Sequence, residues 1–306
     1  MGFRWKKTSD NRKALVESYD IRLKRIEFVR KITQYRQEGR TIVYEDETYI
    51  HSSHTQSKDW VDDKNLSLKK PISKGQRLII VHAGYESGFI ENGLLIFKSE
   101  SKSGDYHNDM NSANFEKWIR NQLLPNLPPR SVLVLDNASY HNVRNTKDPI
   151  SASRKADMIA FLRQNKIPHN PQETKPELYN LVKLYKTKSP DYRFDKLLKE
   201  HGHDILRLPP YSPEFNPIEN IWGVVKNWVA TNNTTFKLND VERLVRKKIA
   251  ELSPEIWRKT CEKVLKIETD FIQKQHVFDA ALESLSFTVH TGSLDEDCDS
   301  SDDDSV

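Results

Sequence analysis

Cysteine is nearly missing from this chain. Cys261 and Cys298 are the two in 306 residues, too few for a disulfide scaffold or a cysteine-rich zinc site. Apolar residues are scarce as well, at 36% against 30% charged, and mean hydropathy is −0.74. No stretch approaches the roughly 18 consecutive apolar residues that read as a membrane span. The first residues also lack the apolar segment of a secretory signal. These shortages point to a soluble protein of a reducing compartment, with no membrane partner. The length allows one large domain or two modest ones, and a chain of this size buries roughly 70–75% of its unfolded surface.

Charge is abundant and unevenly placed. The formal net charge is +4, yet Asp295, Glu296, Asp297, Asp299, Asp302, Asp303 and Asp304 crowd seven acids into the last dozen residues. With those set aside, 48 Lys and Arg face 37 acids, a surplus of +11 over residues 1–294. Residues 1–40 alone hold twelve basic side chains against five acidic ones. Such a balance fits a polyanionic partner, although a well-solvated surface has the same composition.

The apolar pattern places the elements. Residues 1–40 read as a basic arm, Arg4, Lys6 and Lys7 included, followed by a helix in which Ile21, Ile26, Phe28, Val29 and Ile32 recur at helical spacing. Residues 41–50 switch to the two-residue period of a strand. Ile42, Tyr44, Asp46, Thr48 and Ile50 fall on one face, and Val43, Glu45, Glu47 and Tyr49 on the other. Further strands are expected over residues 77–83, 93–98, 131–135 and 204–208. Helices are expected over 111–124, with Asn111 as N-cap, and from Asn216 to about Val229, then over 238–252 and 254–275. Residues 142–204 form a polar block with 13 Lys and Arg against 8 Asp and Glu, holding two short helical patterns around an extended 167–171. The last residues are expected to be disordered from about Ser293.

Three acids stand where strands end or a helix begins. Asp46 is midway along a strand, Asp136 follows the apolar run of residues 131–135, and Glu219 lies in the first turn after Asn216. Carboxyl ends of parallel strands open into a crevice. An Asp–Asp–Glu set converging there would hold two divalent ions roughly 3.5–4 Å apart, with oxygen-only ligation favouring Mg²⁺ or Mn²⁺. On spacing alone each acid has another reading. Asp46 suits an exposed strand face, Asp136-Asn137 an Asx turn, and Glu219 the N3 position of a capping box with Asn216. The paired histidines His51/His54 and His201/His203 have no cysteine nearby and read as surface polarity. The tryptophans read as core or interface anchors.

Three phrases occur in order: VYEDETYI over residues 43–50, VLDNASYH over 134–141 and LPPYSPEFNPIENIW over 208–222. Together they resemble the catalytic domain of mariner-type DDE transposases, and the resemblance covers most of residues 1–141 and 205–230. It implies an α/β, ribonuclease-H-like mixed sheet flanked by helices, with an inserted, mostly helical block before the last catalytic helix. It makes Asp46, Asp136 and Glu219 the metal-holding catalytic acids with two Mg²⁺ or Mn²⁺ ions, and places Asn137 and His141 beside them as supporting or DNA-contacting groups. The implied activity is metal-dependent cleavage of DNA phosphodiester bonds followed by strand transfer, in a nuclear homodimer that binds transposon ends and target DNA. The alternative is a host-retained derivative that binds DNA or chromatin without transposing.

The chain departs from that pattern twice. Eighty-two residues separate Asp136 from Glu219, more than such proteins generally have, and the excess maps onto residues 142–204. The resemblance also begins within the linker that follows the helix-turn-helix units of full-length relatives. There Arg4, Lys6 and Lys7 are expected to hold phosphate backbone without reading sequence. The implied organisation is a basic arm (1–40), a catalytic core (41–141 and 205–275), a polar insertion (142–204) and a flexible acidic tail (276–306).

Overall fold

The structure, a computed structural model, describes residues 3–7, 13–56, 71, 73–99, 110–145, 148–185 and 192–284. The acidic stretch from Asp295 onward lies outside them. A two-stranded antiparallel ribbon, β1 (Phe3–Lys7) and β2 (Lys13–Glu17), leads into the 19-residue helix α1 (Tyr19–Gln37). Gly39, at φ +66°, ends that helix in a backbone conformation that suits glycine.

The main sheet then begins with β3 (Ile42–His51), β4 (Arg77–Tyr85), β5 (Gly88–Phe89) and β6 (Leu95–Lys98). Helix α2 (Ser112–Trp118) follows, capped as expected by the Asn111 side chain, which accepts from the Ala113 and Asn114 N–H groups. The expected helix over 111–124 is not regular throughout. It widens into a π turn over Ile119–Leu123 and tightens at Leu124–Asn126, where Pro125 cannot donate a helical bond. The apolar run becomes β7 (Val132–Leu135).

Three helices follow, α3 (Lys155–Gln164), α4 (Lys175–Tyr185) and α5 (Arg193–Glu200), before the short β8 (Asp204–Arg207). The chain closes with α6 (Pro217–Asn232), α7 (Leu238–Ala250), α8 (Pro254–Gln273) and α9 (Gln275–Ser284). Residues 276–284, expected at the start of a flexible tail, are thus helical. Arg22 ties α9 down through Gln275 Oε1 (2.7 Å) and Asp279 (2.7 Å).

Sheet order is β5-β4-β3-β7-β8, with β6 also pairing β4. β3 runs antiparallel to β4 and parallel to β7, and β7 runs parallel to β8. The alternation read from residues 41–50 divides two cores. Tyr44 and Ile50, with Leu78, Ile80, Val132 and Val134, pack under α1 and α6 to α8; Val43, Ile79, Val81, Leu133 and Leu135 pack under α2 and α5. Both faces of the central strands are therefore covered, which explains the uninterrupted apolar runs of β4 and β7.

Within residues 142–204 the helices separate by where they pack. α5 buries Phe194, Leu197 and Leu198 in the second main core. α3 and α4 instead bury Met158, Leu162, Ile167, Leu178 and Val182 against each other in a small core of their own.

Candidate active site

Strand register brings the first two acids together. β3 and β7 run parallel with Ile42 opposite Val132 and Tyr44 opposite Val134. Extending that register by two residues sets Asp46 beside Asp136, just past the end of β7, on neighbouring strands roughly 4.8 Å apart. The third acid arrives by a pinned loop. Leu208 N–H bonds the Leu135 carbonyl (2.9 Å), and Asn137 Nδ2 donates back to the Leu208 carbonyl (2.5 Å). Pro209 and Pro210 stiffen the turn that follows, and Asn216 Nδ2 donates to the Glu45 carbonyl (3.3 Å), so α6 starts against β3. Pro217 then occupies the first turn, where its missing N–H leaves no bond unmade.

The expected capping box is not formed. The Asn216 side chain makes no cap bond, its Nδ2 donating to β3, and its backbone N–H, which Glu219 would have to accept, bonds the Pro213 carbonyl instead (2.9 Å). Glu219 is thereby left to the site. It is solvent-exposed on α6, next to the buried stripe of Ile218, Trp222 and Val225.

Electrostatics register the convergence. Burial pushes the Asp46 carboxyl well above its ordinary range, and the Glu219, Glu47 and Asp136 carboxylates push it further, while Lys226 opposes them. Glu219 is likewise raised, by desolvation first and by Asp136, again against Lys226. Lys226 answers in kind. Burial lowers its pKa while Glu219 and Asp46 hold it up. His82, opposite Asp46 in the β3–β4 register, adds no countercharge. Burial lowers its pKa to about 3, and its Nδ1 accepts the Ala83 N–H (3.0 Å).

A second group of side chains lies on the other face of β3. Glu45, Glu47 and His141 are 1%, 5% and 0% exposed, and their ligand atoms lie within 4.8 Å of one another. His141 Nδ1 is 2.7 Å from Asp136 Oδ1, and its Nε2 is 3.2 Å from Glu47 Oε1 and 3.9 Å from Glu45 Oε2. Burial alone would lower the imidazole pKa, but Glu47 and Asp136 outweigh it and raise the value to about 9. Glu45 is held well above the ordinary carboxylate range by burial, then by Glu47, Asp46 and Asp136.

Of the residues expected from sequence, Asp46, Asp136 and Glu219 come together, with His141 directly behind Asp136. Asn137 braces the Leu208 turn. It lines a shallow groove with Lys24, Lys31 and Arg207. Arg4, Lys6 and Lys7 lie on β1, and their side chains fall outside the description. Sequence reasoning missed Lys226, although it stands two helical turns after Glu219 on the same stripe. It also missed Glu45 and Glu47, which local pattern places only on the strand face shared with Val43. The paired histidine His203 is buried rather than on the surface, where its Nδ1 accepts the Ser131 N–H (3.1 Å).

The donor set fits a hard divalent cation. Asp46 feels the charge of both Asp136 and Glu219, no sulfur ligand stands among these groups, and Lys226 offsets their negative charge only in part. A mixed sheet of this order, with one acid in mid-strand on β3, one just past the end of the adjacent β7 and one on the helix packed over them, defines a ribonuclease-H-like fold. Residues 93–244 match the family described as DDE superfamily endonuclease, a segment that includes Asp136 and Glu219. Among solved structures, the chain is similar to the Mos1 transposase paired-end complex with left transposon end. That match has 14% identity and a TM-score of 0.54, over 84% of this chain and 62% of that one. It is also similar to the Mos1 mariner paired end complex with Mn, at 15% identity and a TM-score of 0.54 over 84% and 63%. The Mos1 strand transfer complex matches at 14% identity and a TM-score of 0.52 over 83% and 61%. The chain therefore spans less than two thirds of the length of these relatives. About half of the chain thus resembles the DDE superfamily endonuclease family, and its fold is similar to that of the Mos1 mariner transposase.

Proposed function

We propose that the chain is a DDE transposase catalytic domain that cuts DNA phosphodiester bonds and transfers the freed 3′-hydroxyl end to target DNA. In this reading Asp46, Asp136 and Glu219 hold two divalent ions, Mg²⁺ or Mn²⁺. The observation that carries it is the β3–β7 register that sets Asp46 beside Asp136, with Glu219 on the first turn of a helix pinned to β3. Bound ions supply activation of the attacking oxygen and stabilisation of the leaving oxygen. The chain itself supplies position. Asp46 is fixed in mid-strand, Asp136 is anchored through Oδ1, and Glu219 rides a helix pinned to β3. Lys226 holds a positive charge beside them and moderates their repulsion. The surplus of +11 over residues 1–294 suits a DNA partner. The solved Mos1 relatives are described as paired-end and strand transfer complexes, which supports DNA ends and target DNA as partners here. A nuclear homodimer completes the reading.

A nicking assay on DNA carrying the element's ends tests it. The parent chain should cut in Mg²⁺ or Mn²⁺, whereas Asp46→Asn, Asp136→Asn and Glu219→Gln should each fall to background while still binding DNA. DNA binding without cutting by the parent would favour a retained derivative. Undiminished cutting by Asp136→Asn would reject the site.

A further inference from the structure

Burial secures Asp136 only in part. Its side chain is 44% exposed and it follows the last residue of β7. An exposed carboxylate at a strand end turns freely about two torsions unless something fixes it, and holding a ligand to an ion then requires ordering it first. Here Oδ1 accepts two hydrogen bonds, from the Ala138 N–H (2.8 Å) and from His141 Nδ1 (2.7 Å).

The imidazole that reaches Asp136 is itself held on every side. Its ring packs against Phe115 (centroids 4.3 Å) and Tyr140 (4.5 Å), and its backbone N–H bonds the Ala138 carbonyl (3.0 Å). Its far nitrogen faces Glu47 Oε1 at 3.2 Å, with Glu45 behind. A carboxylate oxygen thus stands within hydrogen-bond reach of each ring nitrogen. Glu45 and Glu47 flank Asp46 on the same strand, so the brace for the second acid is built from the residues on either side of the first.

We propose that His141, locked by Glu47 on the covered face of the sheet, is a positioning residue that orients the Asp136 carboxylate for the divalent ion. The inference rests on the reading that Asp136 holds such an ion. Partners of this kind typically change metal affinity by about 10–100-fold when removed.

Mn²⁺ binding to the full chain, followed by the electron paramagnetic resonance signal of free Mn²⁺, provides the test. Asp136→Asn serves as reference and thermal melts monitor folding. Asp136→Asn should abolish the tight site, and His141→Ala should weaken it about 10–100-fold. His141→Asn places an amide N–H where Nδ1 stands and should recover much of the loss. His141→Gln places its amide toward Glu47 instead and should not. A role in packing alone would not distinguish those two variants by which nitrogen they replace. Unchanged Mn²⁺ affinity in a folded His141→Ala chain, or His141→Asn no better than His141→Gln, overturns the inference and leaves the ion site standing. Equal Mn²⁺ binding by parent and Asp136→Asn defeats the underlying reading and the inference with it. A tightly held metal that survives in Asp136→Asn but is lost in Glu45→Gln also overturns it, since the buried cluster would then be a metal site in its own right.

Discussion

Asp46 stands midway along the ten-residue β3, its charge disfavoured first by burial, then by Glu219, Glu47 and Asp136, and relieved only in part by Lys226. Its folded-state pKa lies above the unfolded value near 3.9, so the folded chain retains a proton that the unfolded chain gives up. Stability from this group is therefore present at low pH and is lost as pH rises through the folded pKa. In metal-free protein, Asp46→Asn should raise the thermal midpoint at pH 7.5 even as it removes activity, and the gap from the parent should close as pH falls toward 4. A midpoint at or below the parent's at pH 7.5 would show that Asp46 is not under strain. The residues of this site differ in how far local sequence could disclose them. Asp46, Asp136 and Glu219 stand at element ends or mid-strand, where pattern and family phrases speak together. Lys226 was open to the same helical arithmetic. Glu45 and Glu47 were not, because three acids in succession do not tell that both faces of β3 are covered until α2 is known to lie on the Val43 side.

Elements meet closely where β4 passes α8. A Cβ built on Gly84 would lie 2.4 Å from two ring atoms of Trp257, a fully buried side chain. Neither a sheet backbone nor a buried indole yields easily, so Gly84→Ala should cost about 1–3 kcal/mol as an overpacked core does. Urea unfolding measures this, and an unshifted midpoint would mean the indole can turn aside without penalty. The elements themselves were largely legible, since strand alternation and helical stripes both depend on which face is buried. Failures occurred where tertiary contacts decide. The eight-residue α5 is too short for periodicity to stand out, yet Phe194 and Leu198 make it part of the main packing. The cap expected at Glu219 does not form because the Asn216 N–H bonds the Pro213 carbonyl and its side chain turns to β3.

Across the whole molecule, one buried ion pair joins three layers. Arg36 of α1 reaches Glu268 of α8 (Nη2–Oε1 3.1 Å) and the Tyr44 hydroxyl of β3 (3.0 Å), and Glu268 is 1% exposed. Charge at longer range opposes itself: a +11 body carries seven acids in its last dozen residues. Removing residues 295–306 should tighten non-specific DNA binding at low salt and change it little at high salt. Equal affinities at low salt, by fluorescence anisotropy, would show that the tail does not compete for the basic surface. The excursion that carries α3 and α4 leaves and returns through one narrow root. There Arg193 N–H bonds the Val143 carbonyl (2.8 Å) and Arg144 bridges Tyr192. Once such a neck is tied, each doubling of the length beyond it adds only about 0.6 kcal/mol to closure. The hairpin of α3 and α4 can therefore change in length without displacing the strands and helices on either side of its root, and the long gap between the second and third acids adds little to the cost of closing that root.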